Sequence, residues 1–262
     1  MDSAVGLTLG VLGALALGLL AGALVNLLAD RVVGVDEPVW SASQCRKCLA
    51  PLPQPSPLAL GELFAPGRVC GACGQRTSLR RPLAQVALAA LFPIALWRAY
   101  TAPPTGALPA WALFCMATAS LTALAFIFVV DLEHRLIYDL SLFPLMLALL
   151  ILIGAFDRGR LLGVIFAALL GGGLFLLFYG LGWLLYRQEA LGFGDVKLGL
   201  LLGVLVGWPG LTLALLVTSV SAAILSMLLL ASGAVARRAF IPFGVFMAGA
   251  AAFTLLVSPL PW

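Results

Sequence analysis

Eight apolar runs divide the chain, separated by segments rich in charged, proline or glycine residues. They cover 5–28, 83–99, 108–130, 140–156, 161–186, 196–206, 211–231 and 243–257. Most approach the roughly 20 residues that carry a helix across about 30 Å of hydrocarbon. They are rich in Leu, Ala and Gly and show no two-residue alternation, which argues against a β-barrel. The pattern predicts an all-α polytopic membrane protein with about eight transmembrane helices. The sixth run, 196–206, is too short to cross comfortably at about 1.5 Å per residue, so flanking residues must extend it or the bilayer must thin there.

Composition agrees: 63% of the 262 residues are hydrophobic and only 10% are charged, too little polar surface for a soluble domain of this size. The cations are unevenly shared between the two faces. Eight crossings put loops 29–82, 131–139, 187–195 and 232–242 on one side. That side carries Arg31, Arg46, Lys47, Arg68, Arg76, Arg80, Arg81, Arg135, Arg187, Arg237 and Arg238, with Lys197 just inside its edge. Only Arg98, Arg158 and Arg160 fall on the other. The positive-inside rule therefore assigns the first set to the cytosol and both termini to the outside. A sixth run that merely dipped and returned would strand Arg237 and Arg238 outside, so a true crossing is expected. The net charge of +4 follows from this topology and does not indicate nucleic-acid binding. The first run lacks a basic leader and exceeds a signal-peptide core, which makes it a retained span.

Three regions result: a first transmembrane helix over 1–29, a proline-rich cytosolic loop over 30–82, and a membrane core of seven helices over 83–262. Within the loop lie Cys45-x-x-Cys48 and Cys70-x-x-Cys73. Two C-x-x-C knuckles at this separation have the spacing of a tetrahedral four-cysteine zinc site, with Gly71 and Gly74 easing the tight turns. Four thiolates leave no open coordination position, so the metal would be structural in a small zinc-ribbon-like module. Two disulfides are the alternative, disfavoured on the cytosolic side. Cys115, inside the third run, suits a small packing residue.

Acidic residues are few, and several, Asp131 and Asp195 among them, sit at run ends where ionisable groups are costly and often functional. Asp131 closes the third run and Asp195 opens the sixth. Between them the chain crosses outward and returns, so both carboxylates lie at one depth on the cytosolic face. Asp131 is at a helix C-terminus and Asp195 at an N-terminus, and the macrodipole assigns the shared proton to Asp131 and the anion to Asp195. Such a pair activates water and protonates a leaving amine without metal or covalent intermediate; the alternative is two ordinary helix-end carboxylates in the headgroup layer. Gly192 and Gly194 leave room for a substrate backbone and a sharp turn into Asp195. Lys197 either snorkels to the headgroups or pairs with a carboxylate. His134 belongs to a polar interfacial turn. For "IPFG", a helix entry built on Pro242 and Gly244 explains the residues as readily as a site lining does.

"VVDLEHRLIYD" (129–139), "GFGD" (192–195), "IPFGVFMAG" (241–249), "GALVNLLADR" (22–31) and "GRVCGACGQRTSLRRPLAQ" (67–85) together resemble the type IV prepilin leader peptidases. These are membrane aspartic proteases of the G-x-G-D class. The resemblance implies cleavage of the basic leader of type IV prepilins or pseudopilins on the cytosolic side of the bacterial inner membrane. The cut falls after a glycine, just before the precursor's hydrophobic helix. It makes Asp131 and Asp195 the catalytic pair, with Gly192, Gly194, Lys197, Asp139, Pro242 and Gly244 as supporting or substrate-binding residues, and Cys45, Cys48, Cys70 and Cys73 as metal ligands. It further implies N-methylation of the new terminus with S-adenosylmethionine as co-substrate. The chain departs from the family at Tyr138 and Val245, where proline is usual, at Arg46 in the first knuckle, and at Gln85, where many bifunctional members carry glutamate. That last departure puts the methyl transfer in question, so a peptidase without methyltransferase activity stands as one alternative. The others are a transporter using Asp131 and Asp195 as an ion relay, and a scaffold recruiting a partner through its zinc loop. The sequence carries no sign of the oligomeric state.

Overall fold

The structure, a computed structural model, describes residues 2–31, 48, 70, 72–74, 79–101, 108–187, 191–233 and 242–258. Every regular element among them is an α-helix: α1 (Asp2–Arg31), α2 (Arg80–Thr101), α3 (Ala110–His134), α4 (Asp139–Phe156), α5 (Arg158–Tyr186), α6 (Phe193–Ala231) and α7 (Phe243–Val257). Helices are what apolar sequence must form in lipid, because each satisfies its own backbone hydrogen bonds. Six are long and apolar enough to cross a membrane, and α7 is shorter. The chain forms two compact units, residues 1–97 and 98–262.

In the first unit, α1 presents Gly18, Gly22, Asn26 and Asp30, four apart and so on one face, to α2. A Cβ on Gly18 would lie 2.5 Å from the Leu88 carbonyl oxygen, and one on Gly22 2.5 Å from Cα of Gln85. The helices thus meet backbone to backbone, the small-residue packing that substitutes for a hydrophobic drive inside lipid. Pairing runs antiparallel: Asn26 Nδ2 donates to the Arg81 carbonyl at 2.9 Å, and Asp30 pairs with Arg80 and with Arg81 at 3.4 Å. Gln85 is fully buried in this seam, where a neutral amide costs far less than a charge.

In the second unit the first part of α6 is the centre. Val196, Leu198, Leu201, Leu202, Val204, Leu205 and Val206 are all buried, so most of this stretch is enclosed by protein, with Phe193 exposed and Lys197 and Leu200 half-buried on one face. Its seam with the antiparallel α5 is again made of small residues. A Cβ on Gly199 would meet the Gly171 carbonyl oxygen at 2.9 Å, and one on Gly203 the Ala167 carbonyl oxygen at 2.3 Å.

The 39-residue α6 would be roughly 58 Å long if straight, about twice the hydrocarbon thickness. It is not straight. Gly207 (φ 56°, ψ −170°) and Trp208 leave helical geometry, Gly207 in a combination essentially reserved for glycine. Two arms result, 193–206 and 209–231. The expected sixth and seventh runs correspond to these two arms, helical segments separated by the break at Gly207 and Trp208. The first arm starts beside Ile137, and just past its end Gly210 lies near Thr254 and Ser258. It thus spans the same two ends as α7, as a crossing does. Its shortness needs no thinned bilayer, because residues 201–207 are buried in protein throughout.

Candidate active site and cysteine cluster

Asp131 owes its position to the way α3 ends. Arg135 takes a left-handed conformation (φ 56°, ψ 36°) and its N–H bonds back to the Asp131 carbonyl at 2.9 Å. A non-glycine residue held there is strained, a feature that clusters at functional sites. The chain then runs as a strap, 135–138, into α4. Asp195 lies in the first turn of α6, its N–H bonded to the Gly192 carbonyl at 3.0 Å, with the Gly192 amide facing its carboxylate.

The structure brings these two side chains together. Both are buried, at 5% and 8% exposure, and close enough for the Asp131 charge to act on the Asp195 carboxyl. A third element completes the arrangement. The first turn of α7 points its Gly244 and Val245 amides at Asp131, and a Cβ on Gly244 would fall 2.7 Å from Oδ2. Those amides polarise the carboxylate without full hydrogen-bond alignment, since Oδ2 is buried with no bonded partner among the described residues. Asp131 therefore faces the N-terminus of α7 as well as the C-terminus of its own helix. The dipole of α7 thus acts on Asp131 against that of its own helix, a contribution that the single-helix assignment of proton and anion does not contain.

Ile137, which sequence reasoning missed, sits where the three motifs converge. Its side chain would be 3.2 Å from a Cβ on Gly194 and 3.3 Å from one on Gly244. The glycines consequently act by lacking a side chain, not by unusual torsion. Gly192 is ordinary extended backbone (φ −72°, ψ 142°), and the expected sharp turn into Asp195 is instead a regular helix start. Pro242 is the extended residue before α7 (φ −65°, ψ 115°), so "PFG" serves both as helix entry and as a wall of the site. Ile241 lies outside the described residues. The helix starts are braced on α5 by edge-on rings, Phe243 against Phe175 at 6.0 Å and Phe193 against Tyr179 at 5.8 Å.

Lys197 pairs with neither member of the aspartate pair. Its Nζ donates to Asp139 Oδ1 at 2.6 Å and lies 5.5 Å from the Phe193 ring centroid. Tyr138, in the usual proline position, is extended (φ −85°, ψ 127°) at the entry to α4, near the torsion proline would impose.

In the first unit, the sulfurs of Cys48, Cys70 and Cys73 lie within 4.8 Å of one another. Cys48 and Cys70 are 3.5 Å apart, well beyond the about 2.05 Å of a disulfide. Tetrahedral zinc with Zn–S of about 2.3 Å sets sulfurs about 3.8 Å apart, so the three side chains fit such a metal. Cys45 lies outside the described residues.

Residues 116–227, which hold both Asp131 and Asp195, match the type IV leader peptidase family. The chain is similar to a protein of Aeromonas hydrophila named prepilin leader peptidase/N-methyltransferase, 33% identical over 85% of this chain and 75% of that protein. Proteins of the same name from Pseudomonas putida (31% identical, 88% and 85% covered) and Pseudomonas aeruginosa (28%, 94% and 90%) are similar over nearly the full length. No solved structure matches the chain.

Proposed function

Because the chain belongs to the type IV leader peptidase family, and is thereby an aspartic-type peptidase, we propose that it removes the leaders of type IV prepilins or pseudopilins at the bacterial inner membrane. Family membership selects this reading over an ion relay or a scaffold. The observation that carries the site is the burial of Asp131 and Asp195 side by side, on helices far apart in sequence.

One carboxylate takes a proton from water as the oxygen attacks the scissile carbonyl. The other, protonated, donates to the developing oxyanion. When the C–N bond breaks, the carboxyl that took the water proton passes it to the leaving amine, the other carboxylate takes a proton back from the gem-diol hydroxyl as the carbonyl reforms, and the pair again shares one proton. Gly194 and Gly244 leave the space that Ile137 and the Asp131 carboxylate occupy, Gly192 leaves room for a substrate backbone beside Asp195, and Pro242 shapes the wall. The excess of Arg and Lys in loops 29–82, 131–139, 187–195 and 232–242 supports a cytosolic site and cysteine loop, with both termini outside.

The relatives' name supports a second step on the new N-terminal amine, methylation with S-adenosylmethionine as donor. Zinc held by Cys48, Cys70 and Cys73, with Cys45 as fourth ligand, would be structural and supply folding energy to the loop. The test uses purified protein with a prepilin, with and without S-adenosylmethionine, read by product mass. Cleavage with a further methyl only in the presence of the donor supports both steps. An intact precursor overturns the peptidase, and an unmethylated product overturns the second step.

A further inference from the structure

The Asp139–Lys197 pair stands next to the aspartates without touching them, and the strap 135–138 connects the two. The strap starts at Arg135, one turn past Asp131, and ends at Asp139, the first residue of α4. Midway, Ile137 is wedged between Gly194 and Gly244 with contacts of 3.2 and 3.3 Å to their Cβ positions. Lys197 is two residues from Asp195 on the first arm of α6. It reaches Asp139 at 2.6 Å and leans on Phe193, which is braced in turn by Tyr179 of α5. A circuit therefore runs Asp131, Ile137, Asp139, Lys197, Asp195, and the ion pair closes it.

We propose that Asp139 and Lys197 form a positioning clamp. By tying the start of α4 to the start of α6, they hold Ile137 against both glycines and thereby set the spacing of the Asp131 and Asp195 carboxylates. Without the clamp the strap lifts, Ile137 withdraws, and the first turns of α6 and α7 lose the wedge between them. The pair is partly exposed, Lys197 at 24% and Asp139 at 55%, so it adds little to overall stability. Catalysis is far more sensitive, because misplacement by about 1 Å costs on the order of 10²-fold.

The inference rests on the peptidase reading, and the experiment separates the two. Prepilin cleavage kinetics are compared for the wild type, Lys197→Met, Lys197→Arg, Asp139→Asn and the swapped double variant Asp139→Lys/Lys197→Asp. Thermal unfolding is measured on each in detergent. Asp157→Asn, which removes a remote ion pair with Arg160 at 3.1 Å, is the control. Lys197→Met and Asp139→Asn should lower kcat about tenfold with KM within about twofold. Lys197→Arg should stay near the wild type, the swap should recover at least part of the loss, and Asp157→Asn should change neither constant. A rise in KM at unchanged kcat would make the pair a substrate contact and overturn the clamp. Unchanged kinetics in the single variants would overturn it as well, as would a folded swap no faster than they are. If Lys197→Met does not fold, the comparison of Asp139→Asn with Lys197→Arg decides. A wild type that leaves prepilin intact overturns the peptidase reading itself.

Discussion

Alanine at position 244 would put a methyl carbon 2.7 Å from Oδ2 and 3.0 Å from Cγ of Asp131. A carbon–oxygen contact relaxes at about 3.3 Å, so the carboxylate must retreat by about 0.6 Å. The clash is with a side chain and not with backbone, so Asp131 turns and the fold holds. Alanine favours the helix over glycine by up to about 1 kcal/mol, and an off-rotamer aspartate costs about the same, leaving stability nearly unchanged. Activity should not be spared. With about 10²-fold lost per 1 Å of misplacement, kcat should fall roughly 10- to 30-fold while the unfolding temperature stays within a few degrees. The assay is quantified prepilin processing at several substrate concentrations, beside thermal unfolding of the same preparation. Gly249→Ala serves as control, since a Cβ there meets nothing within 4 Å. Full activity in Gly244→Ala would refute the placement of α7 against Asp131, and equal loss in Gly249→Ala would mean that the effect is not local.

Gly203→Ala should behave in the opposite way. Its Cβ would fall 2.3 Å from backbone atoms of Ala167 and Ala168, which cannot swing aside, so unfolding in detergent should show a loss of about 1–3 kcal/mol or more. Asp131→Asn and Asp195→Asn should each reduce prepilin cleavage by about 10²- to 10⁴-fold, the usual weight of general acid–base catalysis, with unfolding temperatures preserved. Cys70→Ser, which replaces a buried thiol of the cluster, should lower bound zinc measured by elemental analysis, and unchanged zinc content would refute the metal reading.

Much of this protein was legible along the chain. In lipid a helix satisfies its own backbone, so apolar runs translate directly into helices, and the order of crossings puts Asp131 and Asp195 at one depth before any packing is known. The face of α1 carrying Gly18, Gly22, Asn26 and Asp30 was likewise present in the four-residue period. What tertiary structure decided are relations between segments that no local pattern encodes. Only packing shows that most of the first arm of α6 is enclosed by protein, which removes the length limit that hydrocarbon would impose. Only packing gives Lys197 its partner in Asp139, sets Ile137 between two glycines, and turns the amides of α7 onto Asp131. These contacts form across gaps of tens of residues, through side-chain shape and the absence of Cβ atoms. The sequence by itself determined which residues reach the membrane edge, and tertiary structure decided which of them touch, because contact at that edge depends on how closely neighbouring helices approach.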